Sequence, residues 1–271
     1  MLTSIINIED WTKSVLARGK HVFAYADIAK SFKHKTKIAI ISALNRLVAK
    51  GVVVSIFKEY YLIIPPQYGN KGMLPPVLFI DDLMRHLQRN YYVALLSAAV
   101  YQGASHQQAQ EFFVVTTAPF LRTKVKKGIK INYIITTHLA SEKNIEQLKT
   151  ETGYVNISNP FLTALDVIKY QKHVGGLTRA IEVLNELQQS IQQKHISNDL
   201  IKNYPVANIQ RLGFILGEIL GNKKLANKIL LVCKKNNLRF VQIQLNPSLQ
   251  KNTNFNPTWN VAENIKIHIN E

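Results

Sequence analysis

The pattern of hydrophobic positions changes from a helical to an extended period within the first 64 residues. Apolar residues recur every three or four positions over residues 8–19, 25–32 and 36–50, which predicts three short helices. Two runs rich in β-branched and aromatic residues follow at 52–56 and 60–64, and they predict a hairpin. Three helices followed by a hairpin is the order of a winged helix-turn-helix. In that fold the third helix enters the DNA major groove and the hairpin is the wing.

The third predicted helix has a polar face opposite its apolar stripe. Thr36 is placed to cap the helix and Gly51 to end it. Lys35, Ser42, Asn45 and Arg46 lie on the polar face and are predicted to read bases, and the basic residues around the helix start and the hairpin turn are predicted to hold phosphates. The predicted DNA-contacting residues are Lys33, His34, Lys35, Lys37, Ser42, Asn45, Arg46 and Lys58. The alternative is that these residues form only a solvated helix face and loop.

Proline and glycine are concentrated in residues 65–76, which predicts a linker there. We therefore divide the chain into a DNA-binding domain at 1–70 and a larger domain at 71–271. The larger domain is predicted to contain helices at 78–87, 91–101, 159–170, 177–193, 207–220 and 223–235, and strands at 112–117, 129–136, 239–245 and 265–269. The basic residues 122–127 would connect the first two of these strands as a hairpin. The predicted fold class is α+β, with an N-terminal winged helix-turn-helix followed by a larger mixed α/β domain.

The composition indicates a globular protein with a strong excess of positive charge. Of 271 residues, 46% are hydrophobic and 19% are charged, and 34 Lys and Arg face 17 Asp and Glu, for a net charge of +17. Residues 1–70 have ten basic and four acidic side chains, 71–170 have eleven and seven, and 171–271 have thirteen and six. Since the excess is spread along the whole chain, a polyanionic partner is expected to contact more than the N-terminal domain.

The cysteine content and the hydropathy of the sequence indicate the cellular compartment in which the protein is expected. Cys233 is the only cysteine, so the chain cannot form an internal disulfide, which favours a reducing environment. No stretch approaches the roughly 18 uninterrupted apolar residues of a membrane-spanning helix. We expect a soluble, cytoplasmic protein without a membrane partner.

The sequence lacks the motifs of common catalytic and cofactor sites. No pair among the eight histidines has the spacing of a metal site. Gly175-Gly176 is followed by Leu177-Thr178-Arg179, which lacks the Lys-Ser/Thr pair of a phosphate-binding loop. Asp81-Asp82 opens a predicted helix, where acidic residues complement the helix dipole. We therefore predict no catalytic residue, no metal, no cofactor and no enzymatic activity.

Other functions remain open from the residues alone. An RNA-binding protein, directed at tRNA for example, would use the same positive charge. A metal-dependent nuclease would need clustered carboxylates that the sequence does not offer. An interaction adaptor would need no nucleic acid at all.

Several sequence stretches resemble one known family in the same order along the chain. They are the run from Tyr91 to Ala99, the run from Ser158 to Asp166, Gly175-Gly176-Leu177, the run from Gln210 to Leu216, and Trp259-Asn260-Val261. In these stretches, and in its N-terminal helices and hairpin, the chain resembles the AbiEi antitoxins of type IV toxin–antitoxin, or abortive infection, systems. Family wings usually turn through a glycine, whereas here Lys58-Glu59-Tyr60 occupies that turn.

The resemblance implies two functions. The winged helix would bind inverted repeats in its own promoter and repress the operon, and the C-terminal domain would counteract a nucleotidyltransferase toxin. A palindromic site would need two copies of the protein, present as a dimer or as cooperatively bound monomers. The residues themselves led only to a basic, two-domain, non-enzymatic DNA-binding protein, and the antitoxin function rests on the resemblance.

Overall fold

The computed structural model describes residues 7–104 and 111–267, and its N-terminal part alternates helices with short strands. The elements are α1 (Ile8–Ala17), β1 (Val22–Ala24), α2 (Tyr25–Ser31), α3 (Lys37–Ala49), β2 (Val53–Phe57) and β3 (Tyr60–Ile63). The strands form one antiparallel sheet in the order β1-β3-β2. The three predicted helices and the hairpin are confirmed, and β1 is an additional strand that pairs with the hairpin.

The start of α3 follows from a side-chain cap. Thr36 Oγ1 accepts a hydrogen bond from the Ala39 backbone N–H at 3.2 Å, which satisfies a donor that has no partner within the helix. Ile40, Leu44 and Leu47 then recur on one side of α3 and are buried in a core that also contains Trp11. This burial fixes the orientation of α3, so its opposite side faces solvent.

The remaining chain combines a central sheet with helices. Its elements are α4 (Ile80–His86), β4 (Tyr91–Val93), α5 (Leu95–Tyr101), β5 (Glu111–Thr117), β6 (Lys124–Lys126), β7 (Ile129–Thr136), β8 (Ile145–Thr150), β9 (Gly153–Ser158), α6 (Pro160–Lys169), α7 (Leu177–Leu187), α8 (Asn198–Asn203), α9 (Val206–Phe214), α10 (Lys223–Lys235), β10 (Ile243–Gln244) and β11 (Val261–Ala262). The six-stranded sheet has the order β6-β7-β5-β4-β9-β8 and mixes parallel and antiparallel pairs. The predicted class, with both helices and strands, is confirmed.

Both faces of the six-stranded sheet are covered. Tyr92 and Phe113 contribute to a core with helices α5, α6, α7 and α9. Their sequence neighbours Val93 and Val114 contribute to a second core, which includes α4 and residues Val54 to Ile64 of the hairpin. Because successive side chains of a strand point to opposite faces, the hairpin and α4 lie against the face of the sheet opposite to α6, α7 and α9.

The segment at residues 65–76, where the composition predicts a linker, is partly exposed and partly buried. Met73 and Leu74 are buried, at 2% and 0% exposure, in the core that the hairpin shares with the sheet. The prolines and glycines shape tight turns in this segment, since Pro66–Tyr68 and Pro76–Leu78 are single turns of 3-10 helix. The division of the chain at residue 70 remains a prediction.

Two predictions near the start of the larger domain are wrong. The predicted helix at 91–101 is a strand followed by a helix, because Tyr91 to Val93 pair with β5 and Val93 also pairs with β9 in the middle of the sheet. Residues 122–127 do not join two hairpin strands, since β5 and β7 are parallel. Instead, β6 forms within this segment and pairs antiparallel with β7 at the sheet edge. Only the pairing of distant strands decides these assignments.

Other differences concern the strands and helices towards the C-terminus. The hairpin β8–β9 and the short helix α8 were not predicted. The strand predicted at 239–245 is limited to β10, which pairs in parallel with β11. Residues 265–267 are not in a strand, and residues 268 and 269 lie outside the described residues. The helix predicted at 177–193 ends at Leu187 and is followed by two turns of 3-10 helix.

Candidate nucleic-acid interface

All eight residues predicted to contact DNA are exposed. Lys33, His34 and Lys35 lie in the turn before α3, and Lys37 begins the helix. Ser42, Asn45 and Arg46 lie on its solvent-facing side, and Lys58 lies in the turn between β2 and β3. Helix α3 and the hairpin turn therefore present these side chains on one connected surface.

Ile38 belongs to this surface and was missed by the sequence reasoning. Its side chain is 81% exposed, although isoleucine is among the residues most often buried. At 100° per residue, Ile38 lies on the same side of α3 as Ser42 and Asn45. Helical spacing alone could have identified it, because Ile38 falls outside the stripe formed by Ile40, Leu44 and Leu47. An exposed apolar side chain on such a face is suited to contact a thymine methyl group.

Lys37 connects the start of α3 to the hairpin turn. Its Nζ lies 3.2 Å from Glu59 Oε1 and 5.4 Å from the centroid of the Tyr25 ring. The charge of Lys37 is therefore already partnered by a carboxylate. A phosphate contact by Lys37 would compete with this ion pair, whereas Lys33, Lys35, Arg46 and Lys58 form no ion pair with any residue that the structure describes.

Glu59 occupies a position of the hairpin turn whose backbone conformation favours glycine. Its φ is 56°, in the left-handed region where glycine carries no steric penalty. The carboxylate of Glu59 faces Lys37. A glutamate rather than a glycine at this position thus gives the chain an ion pair between the turn and α3.

The edge strand β6 continues the basic surface from the hairpin into the larger domain. Lys124 Nζ lies 5.2 Å from the centroid of the Phe57 ring, at the end of β2. Arg122, Lys126 and Lys127 are exposed in the same segment. The excess charge of residues 71–170 is therefore placed partly beside the hairpin turn.

Asp166 forms a buried polar cluster in the larger domain that the sequence reasoning did not identify. Its carboxylate accepts hydrogen bonds from Tyr92 Oη at 3.1 Å and from Tyr204 Oη at 2.7 Å. Burial raises the pKa of Asp166 to about 6, although the two hydroxyl donors oppose this shift. Three separate elements supply these residues, so no local motif indicates the cluster. The cluster holds β4, α6 and the turn between α8 and α9 together.

The acidic doublet Asp81-Asp82 is partnered, and Cys233 is buried. Both Asp81 and Asp82 form ion pairs with Arg85, and Asp81 also accepts a hydrogen bond from Tyr91. Burial raises the pKa of the Cys233 thiol to about 12, which keeps it protonated at neutral pH. Within residues 7–104 and 111–267, no group of three or more His, Cys, Asp or Glu side chains could hold a metal ion. His106 and His268 lie outside these ranges.

None of the helices that the structure describes has both the length and the hydrophobicity needed to cross a lipid bilayer. The longest among them, α3 and α10, have 13 residues each.

Comparisons with known proteins agree with this architecture. A crystal structure of the RV2827C protein from Mycobacterium tuberculosis is similar with a TM-score of 0.66 and 13% sequence identity, over 92% of this chain and 88% of that one. At this level of identity the similarity concerns the fold alone. No curated protein matches the chain.

The model of the AbiEi antitoxin C-terminal domain matches residues 92–218, which run from β4 through α9 into the π-helical turn after it. Residues 92–218 are therefore similar to the C-terminal domain of AbiEi antitoxins, and the resemblance of this chain to that family is confirmed.

Proposed function

We propose that this protein is the antitoxin of a type IV toxin–antitoxin pair and represses its own promoter by binding inverted repeats in duplex DNA. The AbiEi domain supports the antitoxin function. The exposed face of α3, beside a basic hairpin turn, supports the DNA-binding function. In this proposal the N-terminal part is a winged helix-turn-helix, α3 is its recognition helix and the β2–β3 turn is its wing.

The observation that carries the DNA proposal is the combination of charge and shape around α3. Ile38, Ser42, Asn45 and Arg46 form a face that can reach base edges. Lys33, Lys35 and Lys58 flank that face, and none of them is neutralised by an acidic residue in the described part of the chain. A surface with a polar centre and a cationic border matches a major groove between two phosphate backbones.

Strand β6 would add phosphate contacts next to the wing. The contact between Lys124 and Phe57 places the basic segment 122–127 beside the hairpin. Phosphate contacts by this segment would explain why the larger domain also has a positive charge excess. Such contacts would raise affinity without reading sequence.

The DNA-binding proposal is tested with the full-length chain, because the hairpin shares its core with the larger domain. Fluorescence anisotropy would measure binding to a duplex from the region upstream of the gene, to a scrambled duplex and to tRNA. We expect preferential binding to the upstream duplex. Replacing Arg46 by Ala should cost about 1–3 kcal/mol and reduce the discrimination against the scrambled duplex. Equal affinity for the two duplexes would reject the proposal, and tighter binding of tRNA would favour the RNA-binding alternative.

The contribution of β6 is measured by salt dependence. The logarithm of the binding constant falls with the logarithm of salt concentration by about 0.9 for each neutralised phosphate. The double variant Arg122→Gln, Lys126→Gln should therefore have a slope shallower by about two. Lys143→Gln removes an exposed charge from a distant 3-10 turn and is the matched control. An unchanged slope in the double variant would remove β6 from the interface.

The antitoxin function is tested by co-expression. The proposed toxin is a nucleotidyltransferase encoded by a neighbouring gene. Expression of that toxin alone should stop growth, and co-expression with this protein should restore it. Since this function is assigned to the larger domain, Arg46→Ala should lose repression and keep the rescue. Failure of the unaltered protein to rescue growth would reject the antitoxin assignment for that gene pair.

A further inference from the structure

A cavity of about 530 Å³ opens at the start of the larger domain. One wall comes from residues 71–77, which connect the hairpin to the larger domain. The opposite walls come from α5 and from the first residues of β5 and β7. This volume is within the range of small-molecule sites in proteins.

The walls of the cavity are mainly apolar. The main contributors are Met73, Val77, Leu96, Val100, Phe112 and Ile129. Met73, Val77 and Phe112 are buried, at 2%, 8% and 7% exposure, so the walls are fixed by the surrounding core. An apolar body would replace water in this space with a favourable free energy.

Two polar groups in the walls already have partners. Ser97 Oγ accepts a hydrogen bond from the Phe113 backbone N–H at 2.9 Å. The Glu111 carboxylate lies 3.0 Å from Lys130 Nζ and accepts a hydrogen bond from Asn132 at 2.7 Å. A ligand rich in hydroxyl or amide groups, such as a sugar, would leave many of its own groups without partners here.

Unlike these two groups, two lysines at the mouth of the cavity form no ion pair with any described residue. Lys71 and Lys127 line the cavity, and both are exposed. The Lys127 side chain packs over Gly72, where a Cβ would lie 3.6 Å from Lys127 Cδ, so the lysine is held beside the Lys71 backbone. Within the described ranges, neither lysine forms an ion pair. The mouth therefore offers two free cations above an apolar interior.

We propose that this cavity binds an amphipathic monoanion, a medium-chain fatty carboxylate, with its head between Lys71 and Lys127 and its chain along Val77, Val100 and Phe112. The charge of the mouth selects the anionic head, and the mainly apolar walls select an aliphatic rather than a polar body. This site is separate from the α3 face and does not depend on DNA binding.

Isothermal titration with decanoate tests the proposal, below the concentration at which decanoate forms micelles. Decanol supplies the chain without the charge, and inorganic phosphate supplies a charge without the chain. We expect saturable one-to-one binding of decanoate, binding of decanol about tenfold weaker, and no measurable binding of phosphate. The absence of saturable decanoate binding, or binding of phosphate as tight as that of decanoate, would overturn the proposal.

Variants of the protein test the binding of the anionic head and of the aliphatic chain separately. The double variant Lys71→Gln, Lys127→Gln should bind decanoate about tenfold more weakly and decanol unchanged. Val100→Trp should fill the cavity and remove binding of both compounds, and circular dichroism would verify that this variant is folded. Lys143→Gln is the matched control for the loss of a surface charge. Unchanged decanoate binding in Val100→Trp would place the compound elsewhere and reject the site.

Discussion

The indole ring of Trp259 lies in the space that a side chain at Gly213 would need. A Cβ at Gly213 would be 2.2 Å from Trp259 Cη2, which is shorter than any real Cβ contact. Trp259 is 2% exposed, stacks on Phe240 with ring centroids 5.5 Å apart, and its backbone oxygen accepts a hydrogen bond from Gln210 Nε2 at 2.6 Å. The C-terminal segment is thus fixed to α9 through a position that only glycine can occupy.

This relationship predicts that Gly213→Ala destabilises the protein. The added methyl group must displace a buried aromatic ring, and overpacking of this kind costs about 3 kcal/mol. Urea unfolding would measure the change in the free energy of unfolding. In a Trp259→Leu background the same substitution should cost much less, because the ring is absent. Equal costs in the two backgrounds would show that Trp259 is not the cause.

The raised pKa of Asp166 is expected to make the free energy of unfolding depend on pH. Its folded-state pKa is raised to about 6 from an ordinary value of 3.8, so the folded protein binds the proton more tightly than the unfolded chain. This group therefore adds stability as the pH falls from 7 through about 6 towards 4, by about 3 kcal/mol in total.

The variant Asp166→Asn isolates this effect. Asparagine cannot ionise, so the part of the pH dependence that Asp166 causes should disappear. Urea unfolding of both proteins between pH 4.5 and pH 7.5 would give the difference. Because other carboxylates titrate equally in both proteins, the subtraction removes them. Parallel curves over this range would show that Asp166 does not ionise there.

We expect the protein to bind DNA more tightly when the ion pair between Lys37 and Glu59 is removed. Glu59→Gln removes an acidic group from the proposed wing and frees Lys37 for a phosphate. We expect tighter binding at low salt and a salt slope steeper by about one phosphate. Because the pair is exposed, the free energy of unfolding should change by less than about 1 kcal/mol. Glu142→Gln is the control, and a gain of the same size in that variant would indicate only a change in net charge.

We expect the loss of the Ile38 side chain to weaken DNA binding without changing its salt dependence. Ile38→Ala removes an apolar contact, so binding to the upstream duplex should weaken while the slope against salt stays constant. The stability of the protein should hardly change, because the side chain is 81% exposed. Anisotropy titrations at several salt concentrations would separate the two quantities. Unchanged affinity would exclude Ile38 from the interface.

Local patterns in the sequence were sufficient for much of the N-terminal part. The spacing of Ile40, Leu44 and Leu47 identified the buried side of α3, and Thr36 was correctly placed as its cap. These features depend on neighbours within one or two helical turns, so the sequence records them directly.

The same local patterns failed where a segment had two plausible structures. Tyr91 to Val93 continue an apolar run that fits a helix, yet they are a strand because β5 pairs with all three and β9 pairs with Val93 on the other side. The Lys37–Glu59 ion pair joins residues 22 positions apart, and its existence depends on how the hairpin packs beside α3. Neither feature has a signal in a short window of sequence.

Local sequence patterns account for the positive charge, the order of helices and strands at the N-terminus, and the resemblance of the larger domain to a known family. The packing of the hairpin beside α4 on the six-stranded sheet, and the meeting of Tyr92 and Tyr204 at Asp166, became evident only in the folded structure. The physical reason is that periodicity reports which residues avoid water. It does not report which distant apolar surface or polar partner each residue finds when the chain folds.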